Sequence, residues 1–85
     1  MKFEIYSRSN CVFCERAKNL FIKQNLPYNE ILVTSDKMKQ DLIERVGLPV
    51  KSLPQIFVNR YDGLWEYIGG YTELTRFIKE KNDNK

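Results

Sequence analysis

Lys2-Phe3-Glu4-Ile5-Tyr6-Ser7-Arg8-Ser9-Asn10-Cys11-Val12-Phe13-Cys14-Glu15-Arg16-Ala17-Lys18 opens the chain and changes its period halfway along. Phe3 and Ile5 alternate with Glu4 and Tyr6, the pattern of a strand with one buried face, which predicts a strand over Lys2 to Tyr6. Ser7 to Asn10 is a cluster of turn and capping residues. From Cys14 the apolar positions Ala17, Leu20 and Phe21 fall at helical offsets, with Arg16, Lys18 and Lys23 on the other side. Two cysteines therefore stand where a strand hands over to a helix, Cys11 as its cap and Cys14 in its first turn.

Working outward, Asn25 and Pro27 close that helix, and Tyr28 to Val33 reads as a second strand. Thr34-Ser35 offers an N-cap for a helix with apolar positions Met38, Leu42 and Val46, which Gly47 and Pro49 stop. Pro54 opens a short apolar strand, Gln55 to Val58. Asn59-Arg60-Tyr61-Asp62-Gly63 then leads to a further run, Leu64 to Ile68, and Asp-Gly between two such runs signals a hairpin. Past Gly69-Gly70, the positions Tyr71, Leu74, Phe77 and Ile78 predict a last helix to about Lys81. The order is strand, helix, strand, helix, strand, strand, helix. The first βαβ unit requires parallel strands and the hairpin antiparallel ones, so the expectation is an α/β fold with a four-stranded mixed sheet flanked by three helices.

At 85 residues the chain suits one domain, residues 1–85, with one modest core. A hydrophobic content of 42% and a charged content of 29% are those of a soluble globular protein. No apolar run approaches the roughly 20 residues that span a bilayer, and Met1-Lys2-Phe3-Glu4 leaves no room for a signal-peptide core, so no membrane is expected and the expected compartment is the cytosol. There, paired cysteines are mostly transient and catalytic rather than structural. The net charge of +3 is mild, and its visible excess, the Lys/Asn-rich stretch from Lys79 to Lys85, reads as a solvated terminus; no nucleic-acid partner is expected.

Cys11-Val12-Phe13-Cys14 carries the chemistry. One helical turn brings the two side chains together, within the Cα separation of about 4.4–6.8 Å that a disulfide needs, so the pair can open and close with little backbone movement. Free N–H groups and the positive end of the helix dipole favour a thiolate at Cys11, below the free-thiol pKa of about 8.5, and Arg8, Arg16 and Lys18 act in the same direction. CxxC is also half of a zinc site, but with two cysteines and no histidine a closed four-ligand site cannot form within the chain; no metal is expected. Two inert buried thiols are the other reading, against which stand the polar residues that precede Cys11.

Three segments in order, Ser7-Arg8-Ser9-Asn10-Cys11-Val12-Phe13-Cys14-Glu15-Arg16-Ala17-Lys18, Ser52-Leu53-Pro54-Gln55-Ile56-Phe57-Val58 and Ile68-Gly69-Gly70-Tyr71-Thr72-Glu73-Leu74, closely resemble the small bacterial dithiol glutaredoxins over nearly the whole chain. The resemblance implies the thioredoxin-like fold, Cys11 as nucleophile, Cys14 as resolving cysteine, and glutathione as reducing co-substrate with no permanently bound cofactor. It implies that Pro54 is a cis-proline, leaving the Leu53 backbone free to pair with the cysteine unit of glutathione as a short added strand. Gly69-Gly70 would let the chain pass close to the ligand, Tyr71, Thr72 and Glu73 would form the γ-glutamyl cradle at the start of the last helix, and Phe13 would flank the ligand. For Thr72, a plain helix N-cap is an equal reading. Arg8 and Arg45 are the candidate cations for the glycine carboxylate, each with a solvated surface role as its alternative. The implied partners are glutathione and protein disulfides, ribonucleotide reductase among them, with a monomer as the expected state.

The chain departs from the family pattern twice. Val12 stands where the family usually has proline between the cysteines, which restores an N–H near the helix start. The 59–67 hairpin is longer than the family's usual tight turn and brings Tyr61, Leu64, Trp65 and Tyr67 to the surface, a candidate protein contact. Two rival functions follow from the same residues. A redoxin reduced by thioredoxin reductase would lack the glutathione cradle, against which Tyr71-Thr72-Glu73 stands. An iron–sulfur carrier, with two chains sharing a cluster through Cys11 and glutathione, is opposed by Cys14 and favoured by the loss of proline at Val12.

Overall fold

The computed structural model describes residues 1–60 and 63–83; Tyr61, Asp62 and the end of the basic tail lie outside the described residues. The elements follow the expected order: β1 (Lys2–Ser7), α1 (Val12–Lys23), β2 (Tyr28–Leu32), α2 (Asp36–Val46), β3 (Gln55–Asn59), β4 (Trp65–Gly69) and α3 (Tyr71–Asp83). The four strands form one sheet in the order β2-β1-β3-β4. As the βαβ unit requires, β1 and β2 are parallel, with Phe3 opposite Tyr28. The β3–β4 hairpin is antiparallel, with Phe57 opposite Tyr67 and a register shift between Ile56 and Phe57. What periodicity left open was the neighbour of β1 on its other side. It is β3, antiparallel, with Ile5 opposite Ile56.

Alternation along β1 and β3 divides the sheet into two faces. Phe3, Ile5, Ile56 and Val58 point to one, where Ala17 and Phe21 of α1 and Leu74 and Ile78 of α3 close a core in which no residue is more than 6% exposed. Phe21 packs its ring 4.8 Å from Phe3 and 5.0 Å from Tyr28. The other face presents Glu4, Tyr6 and Phe57 to α2, whose one buried residue is Leu42. There Arg45 bonds Glu4 at 2.8 Å and the Tyr6 hydroxyl at 2.9 Å, and its guanidinium lies 3.9 Å from the centre of the Phe57 ring.

Several expected boundaries move, each for a local reason. β1 runs past Tyr6 to Ser7, because Ser7 pairs with Leu32 and its carbonyl accepts from Val33 N–H. The same pairing ends β2 at Leu32. β4 is shifted by one residue, to Trp65–Gly69, and α3 continues to Asp83. At α2 the cap is Ser35, whose hydroxyl accepts from Met38 N–H at 3.2 Å. Gly47 ends that helix at φ +77°, a left-handed conformation that suits glycine. No helix among the described residues is long and apolar enough to cross a membrane.

Candidate active site

The candidate site lies at one end of the sheet, where β1 ends, β3 begins and β4 hands over to α3. Cys11 caps α1 in extended conformation, and the Cys14 N–H points at its sulfur at 3.2 Å. The cysteines are joined as a disulfide with their Cα atoms 5.2 Å apart, inside the range expected from their spacing. Cys14 is fully enclosed, whereas Cys11 keeps 6% of its surface open. That difference follows from the helix, because Cys14 faces the same side as Ala17 and Phe21 while Cys11 stands at the helix mouth.

Opposite Cys11 is the loop entering β3. The Leu53–Pro54 peptide is cis, Pro54 is buried, and the Leu53 carbonyl oxygen lies 3.6 Å from Cys11 Sγ. A side-chain relay absent from the sequence reading holds this loop. The Tyr67 hydroxyl donates to Gln55 Oε1, and Gln55 Nε2 donates to the Ser52 carbonyl at 2.8 Å, so β4 grips the loop two residues before the proline. Desolvation, with the nearby Glu73 charge, pushes the Tyr67 hydroxyl pKa up and keeps it a neutral donor. One signal was available: Gln55 is a polar residue at the head of an apolar strand, and it is only 7% exposed.

The third side is the start of α3. Its first intrahelical bond runs from Leu74 N–H to the Gly70 carbonyl, which leaves the N–H groups of Tyr71, Thr72 and Glu73 without intrahelical acceptors. Glu73 Oε1 reaches back to accept from Gly70 N–H at 2.8 Å, the return half of a capping box. This corrects the N-cap reading of Thr72, which lies inside the first turn while Gly70 and Glu73 do the capping. Gly69 is required here: at φ +127°, a Cβ would fall 2.8 Å from Glu73 Cγ. A Cβ on Gly70 would come within 3.4 Å of the Pro54 carbonyl, so this turn and the cis-proline loop are direct neighbours.

Phe13, about half exposed, stands 5.8 Å from the Tyr71 ring and links the first turns of α1 and α3. Arg16 covers the Phe13 ring at 5.2 Å. Arg8 is exposed and donates to the carbonyls of Ser9 and Asn10, beside the site. Two other cations have partners elsewhere in the fold. Lys18 is bound by Glu15 at 2.6 Å and Glu30 at 2.9 Å, so its charge is matched there instead of favouring a Cys11 thiolate. Arg45 is exposed at its edge and is engaged by Glu4, Tyr6 and the Phe57 ring across the sheet.

Comparison with known proteins bears on this geometry. Residues 3–61 match the family model described as Glutaredoxin. The chain is 35% identical to Glutaredoxin 1 of Escherichia coli over 98% of its own length and 99% of that protein's, and 31% identical to Glutaredoxin 3 of the same organism over 84% and 78%. The solved structure of reduced Escherichia coli glutaredoxin superposes with a TM-score of 0.77 at 35% identity, covering 98% of this chain and 99% of that one. The buckwheat glutaredoxin–glutathione complex, at 22% identity, covers 93% of this chain and 69% of that one with a TM-score of 0.75 and shows the shared thioredoxin-like fold. A dithiol capping the first helix, met by a cis-proline and matched along the full chain to such relatives, means that this chain belongs to the glutaredoxins, the glutathione-dependent disulfide oxidoreductases.

Proposed function

We propose that the chain reduces protein disulfides and glutathione mixed disulfides in the cytosol, with Cys11 as the attacking sulfur and Cys14 as the resolving one. The observation that carries this division is the asymmetry of the pair: Cys14 is enclosed and directs its N–H at Cys11, while Cys11 opens toward the Leu53 carbonyl. In the reduced protein that N–H and the N-terminus of α1 stabilise negative charge on Cys11 Sγ. The Cys11 thiolate attacks one substrate sulfur; a bond forms to Cys11 as the substrate's S–S bond breaks, and the leaving thiolate takes a proton from water. Cys14, as thiolate, then attacks Cys11 Sγ, closing the intramolecular disulfide and releasing the second substrate thiol. Two glutathione thiols reopen that disulfide and leave as glutathione disulfide, so two electrons pass from glutathione to the substrate.

On this reading glutathione lies with its cysteine unit against the Leu53 backbone beside Pro54. Its γ-glutamyl carboxylate meets the free N–H groups of Thr72 and Glu73 past Gly70, and the Glu73 carboxylate meets its ammonium. Phe13 and Tyr71 form an aromatic wall, and Arg8 takes the glycine carboxylate. All these groups come from one chain, which supports a monomer as the working unit. Among protein disulfides, ribonucleotide reductase is the target to which the family resemblance points.

Comparing two serine variants tests the reading. Cys14→Ser is expected to retain turnover of a glutathione mixed disulfide, coupled to glutathione reductase, and to lose most protein-disulfide reduction. Cys11→Ser is expected to lose both. Equal loss of the two activities in Cys14→Ser, or coupling to thioredoxin reductase in place of glutathione, would overturn it.

A further inference from the structure

The loop that brings Leu53 to Cys11 is held by side chains that take no part in the steps above. Gln55 stands at the head of β3 and is almost wholly buried. Its Nε2 donates to the Ser52 carbonyl at 2.8 Å, and its Oε1 accepts from the Tyr67 hydroxyl. Both ends of the carboxamide are used. Turning it over would set its oxygen against the Ser52 carbonyl, so its two partners together admit one orientation. Ser52 directly precedes Leu53, whose own carbonyl lies 3.6 Å from Cys11 Sγ. A hydroxyl on the edge strand β4 is in this way connected, through one buried side chain, to the backbone that faces the attacking sulfur.

We propose that Tyr67 is a positioning residue for the reaction: acting through Gln55, its hydroxyl fixes the Ser52–Leu53 backbone against Cys11 before a glutathione mixed disulfide arrives. This assignment rests on the reading of Leu53 as the edge that pairs with the cysteine unit of glutathione. A loop already in place offers that edge with no ordering cost at the moment of binding. Without the hydroxyl, the Gln55 oxygen loses its donor and the carboxamide is free to leave Ser52. The loop then holds the competent position for a smaller fraction of the time, and apparent affinity falls by that fraction. Once bound, the complex has the same geometry and reacts at the same rate. The relay therefore governs half-saturation and leaves the limiting rate alone. The Tyr67 ring has a separate task, packing 5.3 Å from the Phe57 ring, so hydroxyl and ring can be tested apart. Trp65, two residues earlier on β4, supplies a control because its ring lies 5.7 Å from the Arg45 guanidinium, toward α2.

Single turnovers of the reduced protein with the glutathione–cysteamine mixed disulfide, followed by cysteamine release, test this. Tyr67→Phe keeps the ring and is expected to raise the half-saturating concentration about fivefold, the scale of one net hydrogen bond, with the limiting rate within about twofold of wild type. Gln55→Met is expected to raise it at least as far, and adding Tyr67→Phe to Gln55→Met to raise it no further, because both changes cut one relay. Trp65→Leu is expected to leave it unchanged. An unaltered half-saturation in Tyr67→Phe, a fall in its limiting rate instead, an equal rise in Trp65→Leu, or additive effects in the double variant would each overturn the assignment. Should Gln55→Met fail to fold, the comparison of Tyr67→Phe with Trp65→Leu decides alone. Failure of the wild type to release cysteamine would instead overturn the reading of Leu53 on which the relay rests.

Discussion

The two faces of the sheet are built from the same strands and held by different forces. On the α1/α3 face, Phe3, Ile5, Phe21, Ile56, Val58 and Leu74 are fully buried against one another. On the α2 face a guanidinium lies among aromatic rings, Arg45 over Phe57 with Tyr6 and Trp65 at 5.8 and 5.7 Å, fixed to Glu4 at the sheet. Apolar burial is strong and little affected by salt screening, whereas a cation over a ring, paired with a partly exposed carboxylate, is weaker and screened. Cys14 belongs to the first face. The resolving cysteine is thus set in the more deeply buried face, and the elements on the other side of the sheet bury less.

The comparison breaks most plainly if the closed face is not the stronger. Phe21→Ala removes a ring packed on Phe3 and Tyr28 in a fully enclosed site, and a loss of about 3–5 kcal/mol in denaturant melts is expected, much of the total for a small domain. Arg45→Met keeps the stem but removes the ion pair and the cation over Phe57. A smaller loss of about 1–2 kcal/mol is expected, with glutathione mixed-disulfide turnover within about twofold of wild type because Arg45 lies outside the site. Equal losses for the two variants would mean that the faces are not distinct in strength.

The smallest effect concerns a polar clamp on the edge of the closed face. Glu30 accepts from the buried Ser7 hydroxyl at 2.6 Å and from Lys18 at 2.9 Å, and these bonds hold its carboxyl pKa below the ordinary 4.5. A carboxyl lowered on folding stabilises the fold above its unfolded pKa, and that contribution is lost as the pH falls through the lowered value. Glu30→Gln is therefore expected to be less stable than wild type by under about 1 kcal/mol at neutral pH, with the gap closing progressively below pH 4.5 in a series of melts. A gap that stays constant to acid pH would assign the clamp to shape rather than charge.

Much of the fold was legible because its signals are local. The change of period between Ile5 and Ala17, the cap at Ser35, Gly47 after α2 and the hairpin before Trp65 each depend on residues close in sequence. The dithiol was legible for the same reason, as its partners are one helical turn apart. The partners of Lys18 and Arg45 were not legible because a long cation on a helix can turn to any nearby acid, and only the packing of β2 beside α1 puts Glu30 within reach of Lys18. The Tyr67–Gln55–Ser52 relay was invisible because it joins residues twelve apart across a register shift in the hairpin.

By itself, the sequence determined the order of strands and helices, the pairing of Cys11 with Cys14, and, through the resemblance its motifs carry, the family. Periodicity reports which face of an element avoids water, and a turn of helix has known reach, so these follow without the third dimension. The tertiary structure alone decided that β3 lies beside β1, that Glu73 caps Gly70, that Arg45 is held over Phe57, and that Tyr67 reaches the loop entering β3 through Gln55. Each of these depends on where groups distant in sequence come to rest, and long-range packing and electrostatics choose among partners that the local chain leaves equivalent.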